Sequence, residues 1–260
     1  MDRLAVIRTE SQHLADVLAT VPPSARVPSC PEWDAGDLLW HLTEVHSFWA
    51  GILAGDVRTE DGVEAVEAAV PPRPPTTAEV LALRERATAD LLAQLERLDD
   101  AEPRWSWWDA DQTVGFTRRM QTYEATMHRV DAELTADLEV GTIAADVATG
   151  AVDHCADVMW ATVPEWATEE QLAVVALVAD DTQDRWLVDV GRWTGTGPES
   201  GTEFDWPFAR RSTGGAPTVT VTGSVQDLAL WAWGRGGSVQ VEGSRPGVEA
   251  VDALIAHGIQ

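Results

Sequence analysis

The sequence predicts a mainly α N-terminal four-helix bundle followed by a small α+β C-terminal domain. The chain has 260 residues, which is enough for two modest domains, each with its own core. Up to about residue 138, apolar residues recur with helical spacing between proline-rich or acidic segments, whereas apolar and β-branched runs of strand length follow residue 166. We therefore expect a helical domain with a bridging helix at residues 1–165 and an α+β domain at residues 166–260.

Four predicted helices make up the first domain. They cover residues 4–18, 34–53, 76–98 and 114–138. Asp34 is a suitable N-cap for the second helix, and Thr76 with Glu79 forms a capping box for the third, because these side chains pair with otherwise unbonded backbone N–H groups. Residues 56–75 are acidic and then rich in proline, so the sequence predicts a loop there. Four helices joined by non-helical connections are typical of a four-helix bundle.

The second domain alternates predicted strands and helices. A bridging helix at residues 144–162 leads into strands at 172–178 and 186–190, which are separated by the polar turn 180–184. Residues 218–222 read Thr-Val-Thr-Val-Thr, the period-two pattern of a half-buried strand. The remaining predicted elements are a helix at 225–233, a strand at 238–242 and a helix at 247–257.

Composition excludes several classes of function. The chain has 43 acidic and 18 basic residues and a formal charge of -25, so nucleic acids and anionic membrane surfaces are poor partners. Charged residues interrupt the first 20 positions, which resemble neither a signal peptide nor a membrane span, and we expect a cytoplasmic protein. Cys30 and Cys155 are too few for a disulfide framework and are expected to be two independent residues.

Glu124 and His128 are four residues apart on the fourth predicted helix, so their side chains share one face. With His41 they can form a three-ligand metal site, which leaves a coordination position for water or substrate, as in catalytic zinc sites. The spacing alone is weak evidence, since about one acid-x-x-x-His pair is expected by chance. Two occur, the second being Asp37/His41. Helical periodicity leaves open whether His41 or His46 faces the pair, and hydrogen-bonded polar residues at the bundle edge are the alternative to a metal site.

Two segments of the first domain resemble a known family. They are residues 27–42, VPSCPEWDAGDLLWHL, and residues 120–131, MQTYEATMHRVD. In this order they are similar to the mycothiol-dependent maleylpyruvate isomerase family, which belongs to the DinB-like group of metal-binding four-helix bundles. Near the C-terminus, DLALWAWGR at 227–235 and VQVEG at 239–243 resemble the family's second domain, which is similar to sterol-carrier folds. Residues 56–112 carry little of the resemblance.

The resemblance implies a metal enzyme that uses mycothiol. It implies that His41, rather than His46, joins Glu124 and His128 as ligands of a divalent metal, zinc, and that the mycothiol sulfur reaches the open coordination position. Zinc lowers the pKa of a bound thiol, so the activated thiolate can add to a small electrophile without a protein cysteine. The expected activity is that of an S-transferase or a cis-trans isomerase of the maleylpyruvate isomerase type, and nothing in the sequence singles out one substrate.

Three further residues are candidate site residues. Arg235 follows the LWAWG run where the family places a basic residue that faces the metal cleft, and Arg245 is its rival. A guanidinium at this position suits a carboxylate of the substrate or cofactor. Asp131 lies three residues after His128, a spacing that allows it either to orient that imidazole or to lie on the outer face of the helix. Trp108, in the tryptophan-rich segment 105–108, is the candidate for binding the cofactor.

Two other functions fit the same residues. A metal-dependent hydrolase would use bound water against an amide or ester, with Asp131 or Glu44 as the base. A non-catalytic protein would bind a small apolar ligand with the tryptophan-rich segment and the second domain, and its metal would be structural or absent. For the thiol-dependent enzyme the expected partners are a small-molecule electrophile and a low-molecular-weight thiol. The sequence leaves both a monomer and a homodimer open.

Overall fold

A computed structural model of the protein describes residues 1–259 and divides the chain into two compact units. The first unit is Met1–Gly141 and the second begins at Thr142. This division comes earlier than the predicted boundary after residue 165. The reason is that the predicted bridging helix packs against a helix of the second unit, and so it belongs to that unit by its contacts.

The four predicted helices of the first unit are present. The helices of this unit are α1 (Arg3–Leu18), α2 (Ala35–Ala54), α3 (Val63–Ala69), α4 (Thr77–Arg97) and α5 (Val114–Thr135). The main packing pairs are α1 with α5 and α2 with α4, which gives a bundle of four long helices. Over residues 1–259, no helix is long and apolar enough to cross a membrane.

The capping residues start the helices where the sequence predicts. Asp34 accepts a hydrogen bond from the backbone N–H of Asp37, and the Asp37 side chain accepts one from the N–H of Asp34, so α2 begins with a capping box. Thr76 and Glu79 form the predicted capping box at the start of α4. Each box pairs two backbone donors that the first helical turn leaves without a partner.

The predicted loop at residues 56–75 contains helical structure, and this prediction was wrong. A 3-10 turn, Glu60–Gly62, leads directly into α3. Val63 is buried, and Val66 packs so closely on Gly51 of α2 that a Cβ at Gly51 would lie 2.7 Å from a Val66 methyl carbon. This tertiary contact stabilises a helix that is too short to form on its own.

Helix α5 is buried along most of its length, including several of its polar side chains. The buried polar residues of α5 are Thr117, Gln121, Thr122, Thr126, His128, Arg129, Asp131 and Glu133. Burying a polar or charged group is costly unless it finds a partner inside the protein. For example, Arg129 is paired with Glu133 at 2.6 Å and with Glu10 of α1 at 2.6 Å. The candidate site lies among these polar groups of α5.

The second unit contains a five-stranded sheet and helices, as predicted for an α+β domain. The strands are β1 (Thr168–Ala179), β2 (Arg185–Thr196), β3 (Glu203–Arg211), β4 (Val219–Gly223) and β5 (Gln240–Gly243). Their order in the sheet is β3-β2-β1-β4-β5. β1 and β4 are parallel, whereas the other neighbouring pairs are antiparallel. The helices are α6 (Ala145–His154), α7 (Val225–Ala232) and α8 (Arg245–His257).

Two features of the second unit differ from the sequence prediction. The predicted helix at 144–162 is shorter, because α6 ends at His154 and a π-helical turn, Cys155–Met159, follows it. Strand β3 was not predicted. It reads EFDWPFARR, lies at an edge of the sheet and contains Pro207, which has no backbone N–H and is tolerated in strands mainly at edges.

Candidate metal centre

Three side chains of the first unit converge at one point. His41 comes from α2, and Glu124 and His128 come from α5. One carboxylate oxygen of Glu124, Oε1, lies 3.1 Å from Nε2 of His41 and 3.1 Å from Nε2 of His128. One donor atom from each residue can be chosen so that all three lie within 4.8 Å of one another. Across residues 1–259, no other group of three His, Cys, Asp or Glu side chains meets in this way.

The helices explain why these donors meet. Glu124 and His128 project from one face of α5 because they are four residues apart. The imidazoles of His41 and His128 lie 4.8 Å apart, centroid to centroid, with their planes at 76°. The side chains of His41 and Glu124 are 29% and 23% exposed. The site is therefore accessible from solvent on the His41 and Glu124 side, while His128 lies deeper.

Asp131 lies behind His128 and fixes the orientation of its ring. Its carboxylate is fully buried, and Oδ2 lies 2.8 Å from Nδ1 of His128. The other oxygen, Oδ1, accepts a hydrogen bond from the hydroxyl of Ser29. With the Nδ1 proton directed to Asp131, Nε2 of His128 points to Glu124 with a lone pair available in the neutral ring. Histidine ligands of metal ions usually have a carboxylate or carbonyl in this position.

Charges in the site shift two pKa values in opposite directions. Burial opposes ionisation of Glu124, but the charge and hydrogen bonds of His128 and His41 outweigh it and hold the pKa of Glu124 well below its usual value. Burial also opposes the charged form of His128, but Glu124 and Asp131 outweigh it and raise the pKa of His128 to about 9. At neutral pH the metal-free site is therefore an ion pair, and a metal ion would displace a proton from Nε2 of His128.

The donor set fits a divalent transition-metal ion. Two imidazole nitrogens and one carboxylate oxygen are ligand types that zinc uses in catalytic sites with three protein ligands. The same set suits other divalent metals of the first transition row. The attraction of His128 for a proton also shows that the site favours positive charge. His41, Glu124 and His128 are thus residues that could hold a divalent metal, and they are the three that the family resemblance implies.

Trp33 packs against both histidines of the site. Its ring centroid is 4.6 Å from that of His41 and 6.1 Å from that of His128. The indole is only partly exposed and also contacts the apolar core formed by α1 and α2. It therefore forms an apolar wall beside the two imidazoles. Trp33 and Ser29 both lie in the segment 27–42 that resembles the family, but the sequence alone indicates no role for either of them.

The structure distinguishes His41 from His46. Helical periodicity left open which of these two histidines faces Glu124 and His128. His46 is completely buried, and its Nδ1 lies 2.9 Å from the hydroxyl of Thr88 on α4. Burial is the main cause that lowers the pKa of His46 to about 3, so this imidazole is neutral. His46 is not among the converging donors, whereas His41 is.

The other predicted residues lie outside this cluster of donors. Trp108 belongs to the segment between α4 and α5, where its ring packs against Trp107 at 6.2 Å and its carbonyl oxygen accepts a hydrogen bond from Gln112. The Nε1 of Trp107 donates to the sulfur of Met120, which lies one helical turn before Glu124. The tryptophan-rich segment therefore contacts the helix that carries two of the three donors. Glu44, the alternative base, is exposed on α2.

Arg235 and Arg245 both belong to the second unit. Arg235 follows α7, and its Nη1 donates to the carbonyl oxygen of Trp233 at 2.6 Å. Arg245 starts α8 and forms an exposed ion pair with Glu249. Of the two arginines, Arg235 is the one held partly buried by the surrounding protein. The cysteines Cys30 and Cys155 are not joined by a disulfide, as predicted.

Two family models match the chain. The model of the mycothiol maleylpyruvate isomerase N-terminal domain matches residues 4–133, and that of the MDMPI C-terminal domain matches residues 146–250. The chain belongs to the mycothiol maleylpyruvate isomerase family. The family predicted from the two sequence segments is thus confirmed. The second match begins at residue 146, close to the start of the second structural unit.

Solved structures of this family have the same fold. The crystal structure of the mycothiol-dependent maleylpyruvate isomerase matches with a TM-score of 0.60 and 16% identity, and 94% of each chain is covered. The structure of a mutant of that isomerase matches with a TM-score of 0.56, 15% identity and the same coverage. No sequence among the curated proteins matches the chain. At this level of identity the structural likeness establishes the helical domain followed by a sheet-containing domain.

Proposed function

We propose that this family member is a metal-dependent enzyme that uses mycothiol as thiol cofactor or co-substrate to attack a small electrophile. The single observation that supports it best is the convergence of His41, Glu124 and His128, with Asp131 behind His128. We choose mycothiol as the thiol because the solved relatives are described as mycothiol-dependent. We propose zinc as the metal because its ligand preferences match the donor set.

The residues of the site have separate tasks in this proposal. His41 and His128 would hold the metal through Nε2, and Glu124 would hold it through a carboxylate oxygen and cancel part of its charge. A bound divalent metal lowers the pKa of a thiol that reaches it, so that the thiolate is present at neutral pH. Asp131 would keep the proton of His128 on Nδ1, and the indole of Trp33 packs against the His41 ring.

The thiolate reaction has two possible outcomes that use the same residues. At a metal held by His41, Glu124 and His128, mycothiol would supply a thiolate that can add to a double bond conjugated to a carbonyl, and the π electrons would move to the carbonyl oxygen as the C–S bond forms. If the substrate rotates about the resulting single bond and the C–S bond then breaks, the product is the cis-trans isomer and the thiol is recovered. If the adduct takes up a proton instead, the product is the S-conjugate. The proposed activity is therefore either that of an isomerase or that of an S-transferase.

Arg235 and Trp108 are the proposed contacts for cofactor and substrate. A guanidinium binds a carboxylate through two parallel N–H donors, so Arg235→Lys should raise KM for a carboxylate-bearing substrate or for mycothiol more than it lowers kcat. Trp108 offers a flat apolar surface for the cofactor. Replacing Arg245, which is exposed and paired with Glu249, should change neither parameter and serves as the control.

A cobalt-substituted protein tests the proposal directly. Adding mycothiol should produce an intense sulfur-to-cobalt absorption band in the wild type and in His46→Ala, and none in His41→Ala. If cobalt binds but its spectrum does not change when mycothiol is added, the thiol-dependent function is rejected in favour of a metal-dependent hydrolase that uses bound water. Failure of the wild type to bind cobalt or zinc would reject the metal centre and favour a non-catalytic ligand-binding protein. Mass analysis of products from α,β-unsaturated acids then separates conjugation from isomerisation.

A further inference from the structure

The segment between α1 and α2 is a closed loop that reaches the candidate metal centre. The backbone N–H of Val27 donates to the carbonyl of Trp33 at 3.1 Å, and the N–H of Trp33 donates to the carbonyl of Cys30 at 2.8 Å. Val27 is completely buried and anchors the loop in the core. Residues 27–33, called the positioning loop below, are therefore held by the fold and present Ser29 and Trp33 at fixed places.

Ser29 donates a hydrogen bond to a buried carboxylate. Its hydroxyl donates to Oδ1 of Asp131, while Oδ2 of Asp131 is taken by Nδ1 of His128. Asp131 is fully buried, so each of its oxygens needs a donor from the protein. Because the two donors approach opposite oxygens, they fix the rotation of the carboxylate about its Cβ–Cγ bond. A free rotation there would turn the acceptor away from His128.

We propose that Ser29 is a positioning residue of the metal centre, which acts on His128 through Asp131. The inference rests on the proposed function, since it requires that His128 binds the metal. The hydroxyl holds the Asp131 carboxylate in the plane that receives the Nδ1 proton, and this directs Nε2 of His128 to the point shared with His41 and Glu124. Trp33, from the same loop, restrains the His41 ring from its side.

A merely structural serine would behave differently. If Ser29 only stabilised the positioning loop, its removal would lower the stability of the protein, and the loss of metal affinity would be the same whether or not Asp131 is a carboxylate. If Ser29 acts through Asp131, its removal should have little further effect once Asp131 has been changed. Metal affinity in a double-mutant cycle therefore distinguishes the two roles.

The test measures zinc affinity of the full chain by competition with a chromophoric chelator. Ser29→Ala should weaken zinc binding about 10- to 100-fold, the usual cost of losing a residue behind a metal ligand. Ser29→Thr keeps the hydroxyl and should restore affinity to within about 3-fold of the wild type. Ser47→Ala removes a hydroxyl that donates to a carbonyl of α2 and should leave affinity unchanged. In the Asp131→Ala background, where no side-chain hydrogen-bonding group is left at position 131, Ser29→Ala should weaken binding less than about 2-fold further.

The outcomes separate this inference from the proposed function. Wild-type protein that binds no zinc overturns both. If the wild type binds zinc and Ser29→Ala binds it with the same affinity, the proposed role of Ser29 is wrong, while the proposed function stands. Additive losses in the double-mutant cycle overturn it as well. If Ser29→Ala does not fold, Ser29→Thr and Ser29→Cys provide the comparison. Cys has nearly the volume of Ser, but its thiol is a weak hydrogen-bond donor. Equal zinc affinities in these two variants would reject the inference.

Discussion

His128 and His46 are buried imidazoles of the same helical unit, and their pKa values move in opposite directions. Burial lowers the pKa of both, since it penalises the charged form. At His46, which contacts the hydroxyl of Thr88, burial prevails and the pKa falls to about 3. At His128 the negative charges and hydrogen bonds of Glu124 and Asp131 outweigh burial and raise the pKa to about 9.

Neighbouring carboxylates, and not burial, make an imidazole suited to bind a cation. A proton and a metal ion are both positive, so the charges that raise the pKa of His128 also favour a metal at the same nitrogen. His46 has a neutral partner at Nδ1, and over residues 1–259 no hydrogen-bond partner lies at its Nε2.

The largest expected effect is the loss of metal binding when a donor is removed. Zinc binding should weaken in each of His41→Ala, Glu124→Ala and His128→Ala. Loss of a residue that supports a ligand costs about 10- to 100-fold in metal affinity, and loss of a ligand itself should cost more. His46→Ala should keep stoichiometric zinc. Metal analysis of the purified variants, with chelator competition, measures both. Loss of zinc in His46→Ala with retention in His41→Ala would reverse the choice of ligand.

The second prediction concerns the pH dependence of the metal-free protein. Because the pKa of His128 is about 9 in the folded state and about 6.5 in the unfolded chain, its stabilising contribution is complete below pH 6.5 and is lost as the pH rises through 9. The loss is on the order of 3 kcal/mol in the free energy of unfolding. Urea unfolding from pH 6 to 10 should show this decrease, and His128→Gln should remove most of it. A variant with the wild-type slope would contradict the assignment.

The third prediction concerns the neutral partner of His46. Thr88→Val removes the hydroxyl and leaves Nδ1 of a completely buried imidazole without a partner, so the protein should lose about 1–3 kcal/mol of stability with unchanged zinc affinity. Thr43→Val is the matched control, because the Thr43 hydroxyl donates only to a carbonyl of its own helix and its loss should cost less. Urea unfolding compares the two variants. Equal losses would argue against a special role of Thr88.

The smallest expected effect is at the wall of the site. Trp33→Leu keeps an apolar side chain but removes the aromatic contact with His41, so stability should fall by about 0.5–1.5 kcal/mol, while Trp33→Phe should be closer to the wild type. Zinc affinity should change less in both variants than in Ser29→Ala. A larger loss of zinc in Trp33→Leu than in Ser29→Ala would place the main control of ligand geometry at His41 instead of His128.

Much of the fold follows from local sequence signals. The capping boxes at Asp34 and Thr76 and the helical spacing of apolar residues act within a few positions along the chain, so they predict the four long helices. Helix α3 and strand β3 were not predicted, because residues far away in the sequence stabilise them. α3 depends on Val66 packing on Gly51, and β3 depends on its pairing with β2.

For the site, the spacing of residues within one helix and the quoted motifs were enough to predict the pair of Glu124 with His128 and the family. Glu124 and His128 share a face because the α-helix has a fixed period, and the quoted motifs identify the isomerase family that the chain belongs to. Spacing left open which histidine joins this pair, and the family resemblance implied His41. The tertiary structure brings His41 to the pair, places His46 against Thr88, and brings Ser29 to Asp131 across 102 positions of the chain. Packing of α2 against α4 and α5 sets which histidine is buried and which meets a carboxylate. That choice depends on contacts between helices, which no spacing within one helix encodes.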